Sequence, residues 1–351
     1  MVLRRAIMIC CALTCIWLSS LRAPAQTVAE FYKANPITVF VASDVGGAYD
    51  VYTRTVARFY SKHIPGQPTL IVKFMPGAGG LIAVNHLANV ATRDGSAIGA
   101  IRAANPVEPL LNPGRQVQFD PRELNWIGNV SSQHGTCFTW HTSPITTLDQ
   151  ARSREVTVAA TSAVANVGTL PQILNALIGT RFKLVAGYST SGMRLALERG
   201  EVEGICGLSF ATLMAAQGDW IRQKKINFLA QTGLEKNPAL PDVPLVSDYA
   251  KDAVDRMVFH VLDYREILGR PYVAPPGVPA ARLAALRQAF DDTMRDPDFV
   301  AEATRLGMTL EPTDHWGVEK IIADAYATPK DVIKKTFDLM RGIGMGSGDD
   351  K

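Results

Sequence analysis

Leu70-Ile-Val-Lys-Phe-Met-Pro-Gly-Ala-Gly-Gly-Leu-Ile-Ala-Val-Asn-His-Leu-Ala-Asn-Val90 decides how the rest of the chain is read. Leu70 to Phe74 is an apolar run with β-branched residues, short enough for a buried strand. Pro76 to Gly80 cannot extend it, because proline lacks a backbone donor and glycines open positive φ. Beyond that break, Leu81, Val84, Leu87, Ala88 and Ala91 recur at helical spacing. The stretch therefore reads strand, glycine turn, helix start. The first amides of a helix lack intrahelical partners and sit at the positive end of its dipole. Without Cβ atoms at Gly77, Gly79 and Gly80, an anion can approach them closely.

The same arrangement occurs upstream. Ile37 to Val41 is strand-like, Ser43-Asp-Val-Gly-Gly-Ala48 interrupts it, and Val51, Thr55, Phe59 and Lys62 share one helical face. Two such units predict a doubly wound α/β sheet with a ligand crevice beyond the carboxyl ends of its strands. The rhythm resumes at Val156 to Ala160, followed by the loop Thr161 to Gly168 and a helix near Pro171 to Ile178. Lys183 to Ala186 then leads to Gly187-Tyr-Ser-Thr-Ser-Gly192 and a helix from Met193 to Arg199, ending at Gly200. Hydroxyl-rich loops before helix starts in the second half would face the glycine loops of the first across a cleft. The hydroxyls of Ser189, Thr190 and Ser191 can equally cap the helix that follows, and Asp50 can cap its own.

Arg4 and Arg5, the apolar stretch Ala6 to Leu21 and Ala23-Pro24-Ala25 have the pattern of a secretory signal peptide over residues 1–25. The whole chain has 36 basic and 33 acidic residues; removing Arg4, Arg5 and Arg22 leaves 33 of each, so no basic stripe for nucleic acid is expected. Three of the five cysteines leave with that segment. Cys137 and Cys206 remain, either as a disulfide or as small buried hydrophobes. The remainder exceeds one comfortable core, which predicts two domains. Trp126 to Val130 running into Thr136 to Trp140 is an extended crossing between them. Met257 to Leu262 with Arg270 to Pro276 is the expected return. Four helices follow, starting near Pro279, Pro297, Trp316 and Pro329, the last with Thr328 as N-cap.

Catalytic patterns are missing. The histidines show no H-E-x-x-H spacing, no G-x-S-x-G elbow occurs, and Gly77-Ala-Gly79-Gly80 falls short of a dinucleotide fingerprint. No cofactor and no metal site are expected.

Several of these stretches, in this order, resemble the Bug-type receptors of tripartite tricarboxylate transporters. Ser43-Asp-Val-Gly-Gly-Ala-Tyr-Asp50 with Ala57-Arg58 is similar to their first loop, and Gly66-Gln67-Pro68 with Met75-Pro-Gly-Ala-Gly-Gly80 to their second. Leu195, Glu198, Gly200, Glu201 and Val202 resemble the following helix-strand step, and Ala239-Leu-Pro-Asp-Val-Pro-Leu-Val246 a third pattern. The resemblance implies a type II periplasmic-binding-protein fold, two doubly wound α/β lobes joined by two crossing segments. Lobe I would comprise 26–130 plus 258–340, lobe II 131–257, with a flexible tail at 341–351. It further implies a monomeric periplasmic receptor that takes a small organic carboxylate and delivers it to membrane permease subunits. An exported hydrolase-like enzyme using the same cleft, or a receptor serving a sensor, are the alternatives. The ligand positions implied in lobe I are Val45, Gly46, Gly47 and Ala48, then Gly77, Ala78, Gly79 and Gly80. In lobe II they are Thr161, Ser162 and Asn166, then Ser189, Thr190 and Ser191. There the sequence departs from the family, with Ser189-Thr190 where Lys-Gly is usual.

Overall fold

A computed structural model describes residues 26–112, 117–163 and 165–343. The signal-peptide expectation for 1–25 and most of the expected tail lie outside the described residues. Among the described residues, eleven strands form two sheets: β1 (Ile37–Val41), β2 (Leu70–Phe74), β3 (Ala97–Ala100), β4 (Asn125–Asn129), β5 (Gly135–Trp140), β6 (Val156–Ala160), β7 (Phe182–Ala186), β8 (Gly204–Ser209), β9 (Ile226–Gln231), β10 (Pro271–Ala274) and β11 (Thr313–Asp314). The first sheet has the order β11-β4-β10-β3-β1-β2 and the second β7-β6-β8-β5-β9.

In the first sheet β1 runs parallel to both β2 and β3, with Val41 opposite Phe74 on one side and Ala100 on the other. Three carboxyl ends are thus level, and the loops that follow them leave from one edge. The second sheet repeats the device, with Ala160 of β6 opposite Ala186 of β7. Antiparallel β5 brings Gly135 opposite Ser209 to that same edge. Cys137 and Cys206 are register partners in β5 and β8, and a disulfide joins them across 69 residues of sequence.

The chain crosses from the first sheet to the second between β4 and β5. Its return differs from expectation. Met257 to Leu262 is not an extended crossing but the middle of a helix, Ala253–Ile267, capped by Asp252, whose side chain accepts from the Asp255 amide at 2.8 Å. Val258, Phe259 and Val261 favour strands locally, but all three are buried on this helix, and tertiary packing overrides propensity. Pro171 also departs from the reading. Its helix starts earlier, at Asn166, and runs to Ile178 with the proline inside it. At the other end Pro329 caps the last helix in place of Thr328, and that helix, Lys330–Gly342, extends into the stretch expected to be a tail.

The core divides unevenly. Phe31, Tyr60, Ile98, Tyr272, Phe290 and Phe299 belong to a cluster on one face of the first sheet. A larger cluster takes Cys137, Val158, Leu174 and Leu229 from the second half, then adds Leu111, Phe259, Val332 and Met340. The helices Ala253–Ile267 and Lys330–Gly342, read in sequence largely as first-lobe material, therefore pack with the second sheet.

Candidate functional site

The glycine turn after β2 has an unusual backbone. Gly77, Ala78, Gly79 and Gly80 all have positive φ, at 113°, 48°, 64° and 96°. Glycine adopts this freely; Ala78 does so at a cost of roughly 1 kcal/mol or more, the kind of strain held at binding sites. Neighbouring loops hold the turn in place. The Asn105 side-chain amide donates to the Gly79 carbonyl at 3.0 Å, while its Oδ1 accepts from the Arg102 amide at 2.9 Å. A Cβ on Gly80 would lie 2.9 Å from Asn105 Oδ1, 2.9 Å from Arg102 Cδ and 3.1 Å from the Ala42 Cβ. The ends of β1, β2 and β3 thus converge on one point, with the helix Leu81–Asn89 starting there.

At the other loop, Gly47 caps the helix Ala48–His63, and Val45 is 66% exposed. The Gly46 amide is already engaged: Asp50 Oδ2 accepts from it at 2.8 Å, and Arg54 pairs with the same carboxylate. Burial opposes the charge of Asp50, yet this amide and guanidinium hold its carboxyl below the usual range. Of the four positions implied here, Gly46 thus has its amide taken by Asp50, while those of Gly47 and Ala48 at the helix start have no partner among the described residues.

In the second half the two predicted loops meet each other. The Gly187 amide donates to the Thr161 carbonyl at 3.3 Å. Ser162 Oγ accepts from the Ala165 amide at 3.2 Å, and Ser189 Oγ accepts from the Gly192 amide at 2.9 Å as the cap of the helix Thr190–Glu198. Thr190 and Ser191 are exposed on its first turn, Ser191 Oγ lying 3.1 Å from Ser189 Oγ. These hydroxyls close the loops locally. Among the described residues no hydrogen bond runs directly between them and the first-half glycine loops.

The link between the halves starts from Asn166, a position the sequence named, and goes through Glu266 and Arg270, which it passed over. The Asn166 side-chain amide donates to Glu266 Oε2 at 2.7 Å. Glu266 and Arg270 interact, and the Arg270 guanidinium lies 4.3 Å from the Tyr49 ring centre and 4.9 Å from that of Tyr52. Tyr49 Oη donates to the Gly269 carbonyl and accepts from the Ala103 amide, each at 3.0 Å. A path of contacts therefore runs from the Asn166 loop to the helix start at Tyr49. Burial raises the Glu266 carboxyl, opposed by Arg265, Asn166 and Arg270. Nearby Asp263 is 6% exposed, and burial pushes it up to about 8. The signal for both was present, since Phe259, Leu262, Asp263 and Glu266 fall at i, i+3, i+4 and i+7. Reading that segment as an extended crossing hid the shared face.

Among the described residues no group of three or more His, Cys, Asp and Glu is placed to hold a metal ion, and no helix is long and apolar enough to cross a membrane. On the first sheet's edge, the amides of Gly47 and Ala48 and those within the turn Gly77 to Gly79 have no partner among the described residues, a donor set suited to an oxyanion.

Residues 53–337 match the model of the tripartite tricarboxylate transporter family receptor. The chain is 24% identical over 307 residues to a UPF0065 protein in the tcbD-tcbE intergenic region of Pseudomonas sp. (strain P51), covering 85% of this chain and 84% of that one. A crystal structure of a TctC solute-binding protein from Polaromonas superposes with a TM-score of 0.67 at 19% identity, over 87% of this chain and 99% of its own. MatC from Rhodopseudomonas palustris, solved with bound malate, superposes with a TM-score of 0.52 at 19% identity, over 87% and 98%. These likenesses share the two-sheet fold described above, and with the family match spanning most of its length, the chain belongs to the tripartite tricarboxylate transporter receptors.

Proposed function

We propose that this receptor captures a small organic carboxylate between its two halves and presents it to the membrane permease subunits of a tripartite transporter. The convergence of β1, β2 and β3 on the strained turn Gly77 to Gly80 carries the reading. A carboxylate withdrawn from water needs several donors in place of its hydration, and each charge-assisted hydrogen bond contributes about 1.5–3 kcal/mol. Amides that have no partner among the described residues, at Gly47 and Ala48 and within the turn Gly77 to Gly79, supply such donors without an arginine, whereas those of Gly80 and Leu81 are taken up by the Gly77 and Ala78 carbonyls. The bound malate of MatC supports a carboxylate as the solute class. The receptor would work as a monomer in the periplasm and return its solute chemically unchanged. Lobe I would hold the first sheet and lobe II the second, with the helices Ala253–Ile267 and Lys330–Gly342 seated between them.

Thermal shift against di- and tricarboxylates, aromatic acids and aliphatic acids tests this, because a ligand at 100 times its Kd adds about 2.7 kcal/mol. At least one carboxylate is expected to raise Tm and to be recovered intact by mass spectrometry. Gly79→Val, which places a β-branched residue at φ 64°, is expected to weaken binding at least about tenfold while the chain still folds. A panel in which no carboxylate shifts Tm, or a folded Gly79→Val with unchanged affinity, would remove the basis of the proposal.

A further inference from the structure

Beneath the helix Ala253–Ile267 lies a cavity of about 60 Å³ at the strand-end edge of the second sheet. That is room for a few waters or one small polar group with its alkyl stem. Its walls are largely apolar, with Leu170, Ile173, Phe259 and Leu262 among them, and its charged lining consists of Asp263, Arg265 and Glu266. Gly207, with φ 96°, lets the start of the Asn166 helix close onto β8 at the cavity wall, since a Cβ there would come within 2.4 Å of the Asn166 carbonyl. Asn166, named above as a cleft position, therefore borders the cavity as well.

Glu266 is balanced by Arg265 and Arg270 and fixed by the Asn166 amide. Asp263 is not balanced. Its carboxyl faces the Gly233 amide and the like charge of Glu266, and its Oδ2 is buried without a hydrogen-bond partner. An acid in the last turns of a helix also opposes the negative end of the dipole, so its position there stabilises nothing in the empty fold. A buried oxygen acceptor left unmatched costs about 1–3 kcal/mol. A group that donates to it, carries positive charge and tolerates apolar walls would remove that cost.

We propose that this cavity is a subsite for the ammonium of an alkyl amine, with Asp263 as its acceptor, so that the solute is an amino carboxylate with its amine several carbons from the carboxylate. The second half of that statement rests on the carboxylate reading of the first-half loops. The path Asn166, Glu266, Arg270, Tyr49 connects the cavity to the helix start where the carboxylate would sit. One molecule would then engage both halves, with the amine below the Ala253–Ile267 helix and the carboxylate at the glycine loops.

Isothermal titration of the full chain against matched probes tests this: 4-aminobutyrate, 5-aminopentanoate and 6-aminohexanoate, the dicarboxylates succinate, glutarate and adipate, and hexylamine. At least one amino carboxylate is expected to bind tenfold or more tighter than its dicarboxylate partner. Asp263→Asn, which keeps the shape and cannot ionise against an ammonium, is expected to erase that preference while leaving dicarboxylate affinity within about twofold. Dicarboxylates binding as tightly as amino carboxylates, or a preference that survives Asp263→Asn, overturns the subsite and leaves the carboxylate reading standing. Hexylamine binding as well as the amino carboxylates, and losing affinity in Asp263→Asn, keeps the subsite and overturns the carboxylate reading. Failure of every probe overturns the amino-carboxylate solute.

Discussion

The two strand-end edges of this receptor solve the same problem by opposite means. On the first, Gly77 to Gly79 and Gly47 to Ala48 present backbone amides in an exposed setting, and the carboxylate at that helix start, Asp50, is already bonded to Gly46 and Arg54. On the second, the loop hydroxyls of Ser162 and Ser189 are occupied with capping, and the cavity under the helix is lined by two side chains with a buried atom left without a partner, Asp263 at Oδ2 and Arg265 at Nε. The difference teaches that symmetry of fold does not imply symmetry of chemistry. Both edges follow from parallel βα units, yet one presents backbone donors and the other holds an acid whose Oδ2 has no partner.

The largest expected effect tests the second edge. Asp263 titrates near 8 when folded against about 3.9 in an unfolded chain, so the folded form retains a proton that the unfolded form has released. Stability accordingly falls as pH rises from about 4 to about 8, by at most roughly 5 kcal/mol from this group. Asp263→Asn should abolish that slope: equal melting near pH 4.5, and at pH 9 a Tm some 5 °C or more above the parent chain. Parallel pH profiles for the two proteins would mean the carboxyl is ionised and matched after all.

The first edge should respond to Gly80→Val. Positive φ and three atoms at about van der Waals limits or closer are expected to cost about 3 kcal/mol in denaturant unfolding, with solute binding lost. A variant as stable as the parent would mean that Asn105 and Arg102 do not fix this turn. Asp50→Asn probes the same edge more gently. It should lower stability by about 1 kcal/mol through the lost cap, and by removing a negative charge at the helix start it should tighten carboxylate binding a few-fold. Weaker carboxylate binding in this variant would place Asp50 on the side of the solute. Ser189→Ala should produce the smallest change, about 0.5–1 kcal/mol of stability and no change in affinity, if the hydroxyl is a cap and nothing more. A tenfold loss of affinity would return Ser189 to the ligand set.

Much of the first edge was legible in sequence, because a glycine run between an apolar strand and a helical pattern has few other solutions. The crossing into the second sheet was legible for a similar reason, since Trp126 to Trp140 has strand composition on both sides of one break. The helix Ala253–Ile267 was not. Its β-branched and aromatic residues are set by what they pack against, Val332 and Met340 among them, and that neighbour is supplied by chain more than 60 residues away. Asp263 was hidden with it, because an acid in a helix normally reads as a solvated face. Asp50 and Ser189 were ambiguous for a different reason. A side chain that caps a helix and one that grips an anion occupy the same place in sequence, and only the bonds to Gly46 and Gly192 separate them.

Leu111, Phe259 and Met340 come from three remote stretches yet share one oily seam alongside the second sheet. Any movement of one half against the other has to slide these side chains past one another without admitting water, which favours small rocking angles over a wide gape and so would disfavour bulky solutes before any polar group met them.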